Sequence, residues 1–245
     1  GRPARYEGSW GTAVLRLFKL TAACTGANEK TLRQLGIPHQ AIHLHPGSHA
    51  GYYPGAQPIA MKVLFDPATG RILGAQAVGN DGVDKRIDVL ATAMQAGLTA
   101  DQLADLELAY APPFSSAKDP VNLAGMIAHN VRQGLVQLAQ WHEIPLLNPS
   151  RSLLLDVRTD AERSQGAIPG SIHMPLHQLR QRLHELPRDR EIIVACQSGQ
   201  RSYFAARLLA QHGFHVRNLS GSYRTWSAAR ELPSPVSNQP PAETT

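Results

Sequence analysis

The chain has 245 residues, with 24 Lys+Arg against 19 Asp+Glu and a formal net charge of +5. Hydrophobic residues make up 42% and charged residues only 18%, which excludes a largely disordered chain and allows one large or two modest domains. No apolar run approaches the roughly 20 residues of a membrane span, and the first residues lack the apolar core of a signal peptide. Because the two cysteines, Cys24 and Cys196, are too few for a disulfide framework, we expect a cytoplasmic protein with no membrane partner.

The isoelectric point of about 9.5 is that of a basic protein, but the pattern of charges does not support nucleic-acid binding. No part of the chain carries a basic run, or a basic stripe with interleaved aromatic side chains, of the kind that follows a phosphate backbone. A net charge of this size mainly sets solubility and weakly favours anionic ligands. We therefore expect no nucleic-acid partner.

The first part of the chain, residues 1–140, begins with segments typical of β-structure. Residues 11–23 are β-like. Residues 58–65 and 71–79 flank the sequence Asp-Pro-Ala-Thr-Gly at 66–70, which is typical of a turn. This pattern predicts a β-hairpin.

Helical patterns follow the predicted hairpin. One helix begins near Val83, has apolar residues at helical spacing and stops at Gly97. Thr99 and Gln102 form a capping-box pattern for a second, short helix. Asp119, followed by a proline, is the predicted N-cap of a longer third helix. The apolar face of this third helix is predicted from Leu123, Ile127, Val131, Leu135 and Leu138.

A segment with two prolines and no helical period, residues 141–150, is the predicted linker to a second domain, residues 151–232. In this domain strand and helix patterns alternate: a strand at 152–157, a helix that opens with the capping box 159–162, a strand at 192–195 and a helix that ends at Gly213. Such alternation predicts a small parallel α/β domain. Residues 233–245 are predicted to form a disordered tail.

A cysteine loop lies between the predicted strand 192–195 and the helix after it. We predict Cys196 as the catalytic residue, because loop amides, the positive end of a helix and an arginine would together favour the nucleophilic thiolate. The same surroundings would hold the outer sulfur of a persulfide. The residues predicted to bind the thiolate or persulfide are Gln197, Ser198, Gly199, Gln200 and Arg201.

Other interpretations of this loop stay open on the residues alone. A buried core thiol that merely ends a strand is the simplest of them. A cysteine phosphatase is disfavoured, because those enzymes place five residues between cysteine and arginine, whereas four separate Cys196 from Arg201. The shorter loop favours a single sulfur atom over a phosphoryl group.

Residues 153–227 resemble a rhodanese domain. The resemblance rests on Leu155-Asp-Val-Arg158, Gly166-Ala-Ile-Pro-Gly-Ser-Ile-His173, the Cys196 loop, and Asn218-Leu-Ser-Gly221 with Trp226 after it. In that family the cysteine carries a persulfide between a sulfur donor and an acceptor. Ala167 departs from the pattern, which often has histidine there, but that histidine is not the nucleophile. Asp156 and Arg158 are interpreted as structural residues that hold the loop.

The first part of the chain resembles the C-terminal dimerisation domain of pyridine nucleotide–disulfide oxidoreductases, in the coenzyme A-disulfide reductase and persulfide reductase branch. The resemblance spans about residues 10–138 and rests on the segments 49–55, 79–88 and 110–122. It implies a homodimer in which Tyr52 and Tyr110 reach the disulfide-substrate site of the partner subunit. The fold class expected is thus an α+β dimerisation domain followed by a small parallel-sheet α/β rhodanese domain.

The same resemblance implies FAD and NAD(P)H in the full-length enzyme, and a small-molecule sulfur donor or persulfide, with coenzyme A as one candidate. No Gly-x-Gly-x-x-Gly motif occurs here, so the chain alone is expected to bind neither cofactor. No metal site is predicted, because no carboxylate or thiolate accompanies His43, His45 and His49. The alternative function is a non-catalytic dimerisation and interaction module with a vestigial cysteine loop.

Overall fold

A computed structural model describes residues 8–230, together with residues 2, 3, 5 and 6. The tail predicted at 233–245 lies outside the described residues. The chain forms two five-stranded sheets, one antiparallel and one parallel, each with helices packed against it. This architecture confirms the predicted fold class.

The first sheet is antiparallel, with the strand order β1-β2-β5-β4-β3. Its strands are β1 Ala13–Leu17, β2 Leu20–Gly26, β3 Gln40–Leu44, β4 Ile59–Phe65 and β5 Ile72–Gly79. The predicted hairpin is confirmed, since β4 and β5 pair directly. The carboxylate of Asp66 stabilises the turn between them by accepting hydrogen bonds from the amides of Ala68 and Thr69, at 2.8 and 3.2 Å. The β-like segment 11–23 divides into β1 and β2, which pair as a second hairpin.

The helices of the first domain are α1 Glu29–Gln34, α2 Val83–Gln95 and α3 Pro120–Arg132, with a 3₁₀ helix at Asp101–Asp105. The apolar side of α2 packs against β2 and β5, and its buried residues include Val83, Ile87 and Leu90. The predicted cap of α3 is confirmed: the Asp119 side chain accepts from the amide of Val121, and Asn122 completes a capping box. The short helix after Thr99 is a 3₁₀ helix, with Gln102 bonded to the Thr99 amide.

The prediction that α3 extends to Leu138 is wrong. The helix ends at Arg132, and the chain turns at Gly134, where φ is +66°. Leu138 instead lies in β6, which pairs with β10 in the second sheet. Leu138 fits the helical spacing by chance, because a partly buried strand also needs an apolar side chain at this position. Its apolar character therefore does not distinguish a helix from a strand.

The second sheet is parallel, with the strand order β6-β10-β9-β7-β8. Its strands are β6 Leu138–Ala139, β7 Ser152–Asp156, β8 Ile172–His173, β9 Glu191–Ala195 and β10 Val216–Leu219. The helices are α4 Asp160–Ser164, α5 Leu176–Leu179, α6 Gln200–Gln211 and α7 Ser222–Arg230, with a 3₁₀ turn at Leu183–Glu185. The capping box at Thr159 is confirmed by its reciprocal bonds with Glu162.

Part of the predicted linker forms regular structure between β6 and β7 of the second sheet. Trp141–Leu146 forms a 3₁₀ helix, and Trp141, Ile144 and Leu147 pack against the core of the second sheet. The segment is short and its apolar side chains do not follow a repeat of 3.6 residues, so the sequence pattern did not reveal a helix. Within residues 8–230, none of the helices is long and apolar enough to cross a bilayer.

Candidate active site

The Cys196 loop lies at the carboxyl end of β9, in the middle of the parallel sheet. β9 ends at Ala195 and α6 begins at Gln200, so the loop turns directly into a helix. Gly199 is the N-cap residue of α6 and has φ +107°, a conformation that side chains with a Cβ rarely adopt. Ligands of parallel α/β sheets bind beyond the carboxyl ends of the strands, which is where this loop lies.

The Cys196 thiol is buried among hydrogen-bond donors. The residue is 1% exposed, and its Sγ accepts from the Gly199 amide at 3.1 Å and from the Ser202 hydroxyl at 3.3 Å. Burial disfavours the thiolate, but these bonds, with the amides of Ser198 and Ser202, outweigh it and hold the pKa of Cys196 below its usual value. The site therefore favours the nucleophilic form of the sulfur.

Ser220 and Gly221, together with the first helical turn of α7 at residues 222–225, hold the backbone of the cysteine loop; we call residues 220–225 the support turn. The amides of Tyr223 and Arg224 donate to the carbonyls of Cys196 and Gln197, each at 3.1 Å. The Ser222 hydroxyl accepts from the Cys196 amide at 3.0 Å. Ser222 has φ +52°, a strained value for a residue with a side chain.

Asp156 and Arg158 form a buried ion pair beside the loop, as expected for structural residues. Arg158 Nη2 lies 2.8 Å from Asp156 Oδ2, and both residues are almost fully buried. Arg158 also donates to the Gln197 side chain at 3.3 Å and to the Gly166 carbonyl at 2.7 Å. Its guanidinium lies 4.1 Å from the centre of the Tyr223 ring. The pair thus joins the loop, the support turn and the segment that follows α4.

Arg201 forms an ion pair with Glu162, a partner that the sequence analysis did not identify. Its guanidinium forms a two-point ion pair with Glu162, with one N···O distance of 2.8 Å. This pairing lowers the pKa of Glu162 to about 2. The thiol receives its hydrogen bonds from Gly199 and Ser202. The hydrogen bond with Glu162 raises the pKa of Arg201, and the interaction of its charge with Cys196 through space contributes to that raised pKa.

A cavity of about 270 Å³ separates the two domains next to the loop. Ser198, Gly199 and Gln200 form part of its wall, whereas Cys196 does not. Two buried polar atoms of its lining residues, His43 Nδ1 and Asn218 Oδ1, have no hydrogen-bond partner within residues 8–230. Both domains therefore contribute residues to the wall of a cavity beside the cysteine loop.

Tyr52 and Tyr110, 58 residues apart in the chain, lie side by side. Their hydroxyls are 2.9 Å apart, and the residues are 77% and 48% exposed. The hydrogen bond with Tyr52 raises the pKa of Tyr110. The structure thus brings together the two tyrosines that the sequence analysis singled out, and leaves them accessible.

A buried arginine holds the two tyrosine segments together. Arg86, which is 1% exposed, donates to the Ser48 carbonyl at 2.8 Å, to the Ser115 hydroxyl at 3.3 Å and to the Asp119 carboxylate at 2.9 Å. Ala50 N also donates to the Ser115 carbonyl at 2.9 Å. Segment 48–52 is therefore fixed against segment 110–119 from below the surface.

Two family descriptions match the chain in succession. Residues 13–120 match the pyridine nucleotide-disulphide oxidoreductase dimerisation domain, and residues 139–229 match the rhodanese-like domain. The coenzyme A disulfide reductase of Staphylococcus haemolyticus is 43% identical over 126 residues, which cover 51% of this chain and 28% of that protein. The corresponding protein of Staphylococcus aureus is 42% identical over 120 residues, which cover 49% and 27%.

Two solved structures extend the similarity over both domains. Reduced CoADR-RHD of Bacillus anthracis has a TM-score of 0.89 and 50% identity, over 91% of this chain and 40% of that one. A NAD-dependent persulfide reductase from A. fulgidus has a TM-score of 0.81 and 41% identity, over 92% and 41%. The chain thus combines a pyridine nucleotide-disulphide oxidoreductase dimerisation domain with a rhodanese-like domain, and over both domains it is similar to proteins of the coenzyme A-disulfide reductase and persulfide reductase branch. It spans less than half the length of these relatives.

The residues that the structure describes do not fit a dinucleotide or a metal. The sheet of the dimerisation domain is antiparallel, and the strand–loop–helix unit of the rhodanese-like domain at 195–200 holds the cysteine, whereas a dinucleotide needs a glycine-rich turn between a parallel strand and a helix. Within the same residues no group of three or more His, Cys, Asp and Glu side chains could hold a metal ion.

Sequence reasoning missed Ser202 and Ser222 in the rhodanese-like domain. Ser202 lies in the first turn of α6, where a side chain can reach back to the loop before the helix, so its position after Arg201 was a usable signal. Ser222 lies 26 residues from Cys196, and no local pattern connects them. Their hydroxyls are 3.2 Å apart, which links the sulfur to the support turn.

We expect Ser202→Ala to slow the alkylation of Cys196 by iodoacetamide at neutral pH by roughly three- to tenfold, because one donor to the thiolate is lost. The midpoint of the rate against pH should move upward, since a less stabilised thiolate has a higher pKa. Ser198→Ala is the matched control, because it keeps the amide through which Ser198 acts. Equal pH profiles for Ser202→Ala and the native chain would contradict this role.

Proposed function

We propose that the rhodanese-like domain of this chain transfers sulfane sulfur through a persulfide on Cys196. The observation that carries the proposal is the buried Cys196 thiol, whose Sγ accepts from Gly199 and Ser202 and whose pKa lies below its usual value. Donors that stabilise a thiolate also suit the terminal sulfur anion of a persulfide. The match to the rhodanese-like domain and the similarity to a persulfide reductase support the same chemistry.

Each step balances without an external oxidant. The Cys196 thiolate attacks the outer sulfur of a donor such as thiosulfate, the donor's S–S bond breaks, and sulfite leaves with the electron pair of that bond. A nucleophilic acceptor then attacks the terminal sulfur of the persulfide, and the electron pair returns to the Cys196 thiolate. The second step restores the starting enzyme.

In the longer reductase, we propose that a FAD- and NAD(P)H-dependent site reduces the persulfide or mixed disulfide that this domain supplies. The dimerisation domain supports a homodimer, in which Tyr52 and Tyr110 would contact the disulfide substrate of the partner subunit. Their exposed hydroxyl pair suits a polar contact of that kind. Coenzyme A is the candidate thiol, because two of the similar proteins are coenzyme A disulfide reductases. The interdomain cavity beside Ser198–Gln200 has room for part of a small molecule.

The proposal is tested by turnover with thiosulfate as donor and cyanide as acceptor. We expect thiocyanate to form catalytically, at a rate proportional to protein concentration, because the acceptor regenerates the thiolate. The measurement is the colorimetric assay of thiocyanate, with heat-denatured protein as control. Absence of thiocyanate from folded protein would overturn sulfur transfer with these substrates and favour a non-catalytic dimerisation and interaction module.

A further inference from the structure

The dimerisation domain contacts the support turn of the rhodanese-like domain through the end of strand β3. The amide of His43 donates to the Ser220 hydroxyl at 2.9 Å. The Nε2 atom of His45 lies 2.8 Å from the Thr225 hydroxyl. Residues 177 and 180 positions apart in sequence are thereby joined at the two ends of the support turn. Sequence analysis singled out these histidines only as rejected metal ligands.

The contact is too close to allow a side chain at the centre of the turn. A Cβ atom placed on Gly221 would lie 2.8 Å from the Cβ of His43 and 2.0 Å from the Thr225 hydroxyl oxygen. Gly221 also has φ +66°, which favours glycine. The support turn therefore packs directly against β3, so a displacement of one would move the other.

The support turn transmits this contact to the nucleophile. Within it, Tyr223 and Arg224 donate to the loop carbonyls of Cys196 and Gln197, and Ser222 accepts from the Cys196 amide. These three bonds set the backbone of the first two loop residues. The path from β3 to the loop thus consists of two hydrogen bonds into the turn and three out of it.

The two histidines are neutral in this contact near pH 7. Burial lowers the pKa of His43 to about 3, and Lys62 contributes in the same direction, as do His45 and His142, while Glu29 opposes it. Burial and the charge of Arg224 lower the pKa of His45 to about 4. Both histidines therefore keep one protonation state across the neutral pH range. The contact between β3 and the support turn is then the same throughout that range.

We propose that the dimerisation domain positions the cysteine loop of the rhodanese-like domain, with His45 and the backbone of His43 as positioning groups that act through Ser220 and Thr225. The proposal rests on sulfur transfer at Cys196 as the proposed function. It assigns to the dimerisation domain a part in the geometry of the sulfur site on its own chain. None of these groups touches the reacting sulfur.

The test uses the full chain with Thr225→Val, which removes the hydroxyl and keeps the shape of the side chain. We expect the rate of Cys196 persulfidation by thiosulfate to fall roughly three- to tenfold, as for the loss of one hydrogen bond, and the midpoint of iodoacetamide alkylation against pH to shift. Thr225→Ser should restore both to within about twofold of the native chain. Ser220→Ala, which removes the acceptor for His43, should act in the same direction as Thr225→Val.

Gln140→Ala is the matched control, because Gln140 Nε2 donates to the Ala41 carbonyl at 2.9 Å on the same strand β3 but has no such bond to the support turn. If Thr225→Val acted only by loosening the packing between the domains, Gln140→Ala should change the alkylation profile to the same extent. If the support turn positions the cysteine loop, the alkylation profile of Gln140→Ala should stay native. A native alkylation profile for both Thr225→Val and Ser220→Ala would overturn the proposal. Failure of the native chain to take up sulfur would overturn the proposed function instead, and the alkylation profiles would still decide the positioning.

Discussion

After incubation with excess thiosulfate, the reduced native chain is expected to gain one sulfur atom, and Cys196→Ser is expected to gain none. Cys196 is the residue whose sulfur lies among donors that stabilise an anion, whereas a serine hydroxyl is too weakly acidic to attack the donor near neutral pH. The measurement is intact-mass spectrometry under non-reducing conditions. The expected effect is complete loss, the largest that we predict for the sulfur site.

The chain has only one other cysteine, so Cys24→Ser is the matched control and should gain sulfur as the native chain does. Cys24 lies in β2, opposite Ala13 and Gln76 of the neighbouring strands, in the antiparallel sheet of the dimerisation domain. If Cys196→Ser still gained sulfur and Cys24→Ser did not, the sulfur would be bound in the dimerisation domain. That result would contradict our proposal. No uptake in any folded variant would contradict sulfur transfer from thiosulfate.

Arg86→Ala is expected to lower the free energy of unfolding of the dimerisation domain by about 3–5 kcal/mol, because it leaves Asp119 buried without its cation. The two side chains are only 2% and 3% exposed, and their N···O distance is 2.9 Å. The same substitution removes the bonds to Ser48 and Ser115, so Tyr52 and Tyr110 should also lose their fixed relative position. Urea unfolding followed by circular dichroism measures the first effect.

Arg132→Ala is the control for this substitution. Arg132 pairs with Asp101, but these side chains are 22% and 25% exposed, so about 1 kcal/mol or less is expected. Hydrogen exchange of the α2 and α3 amides would assign the loss in Arg86→Ala to the dimerisation domain. Equal decreases in the free energy of unfolding of the two variants would show that the buried Arg86–Asp119 pair stabilises the domain no more than the partly exposed Arg132–Asp101 pair.

Features that depend on neighbouring residues were predictable from the sequence. The β4–β5 hairpin followed from its turn residues, and α2 followed from apolar spacing. The cap at Asp119 followed from the proline after it, and the cap at Thr159 followed from the glutamate three residues later. These elements are decided by local hydrogen bonds and by which face of one segment is apolar, and both are visible in a short window of sequence.

Groups that act across the fold were not predictable in this way. Arg86 resembled any charged residue on a helix until the structure placed it beneath two loops. Leu138 continued a helical pattern but pairs in the second sheet, because a partner strand 80 residues later was available to it. The ion pair between Arg201 and Glu162 joins residues 39 positions apart, so no local pattern indicated it.

The sequence by itself determined the two fold classes and singled out Cys196, since each of these depends on local pattern and on residue type. Tertiary structure decided which groups surround that cysteine: Ser202 from α6, Ser222 from the support turn and, behind the turn, β3 of the other domain. The physical reason is that a hydrogen bond depends on the distance between two atoms and not on their separation along the chain. Folding brings β3 to the support turn across about 180 residues, and no local pattern encodes that contact.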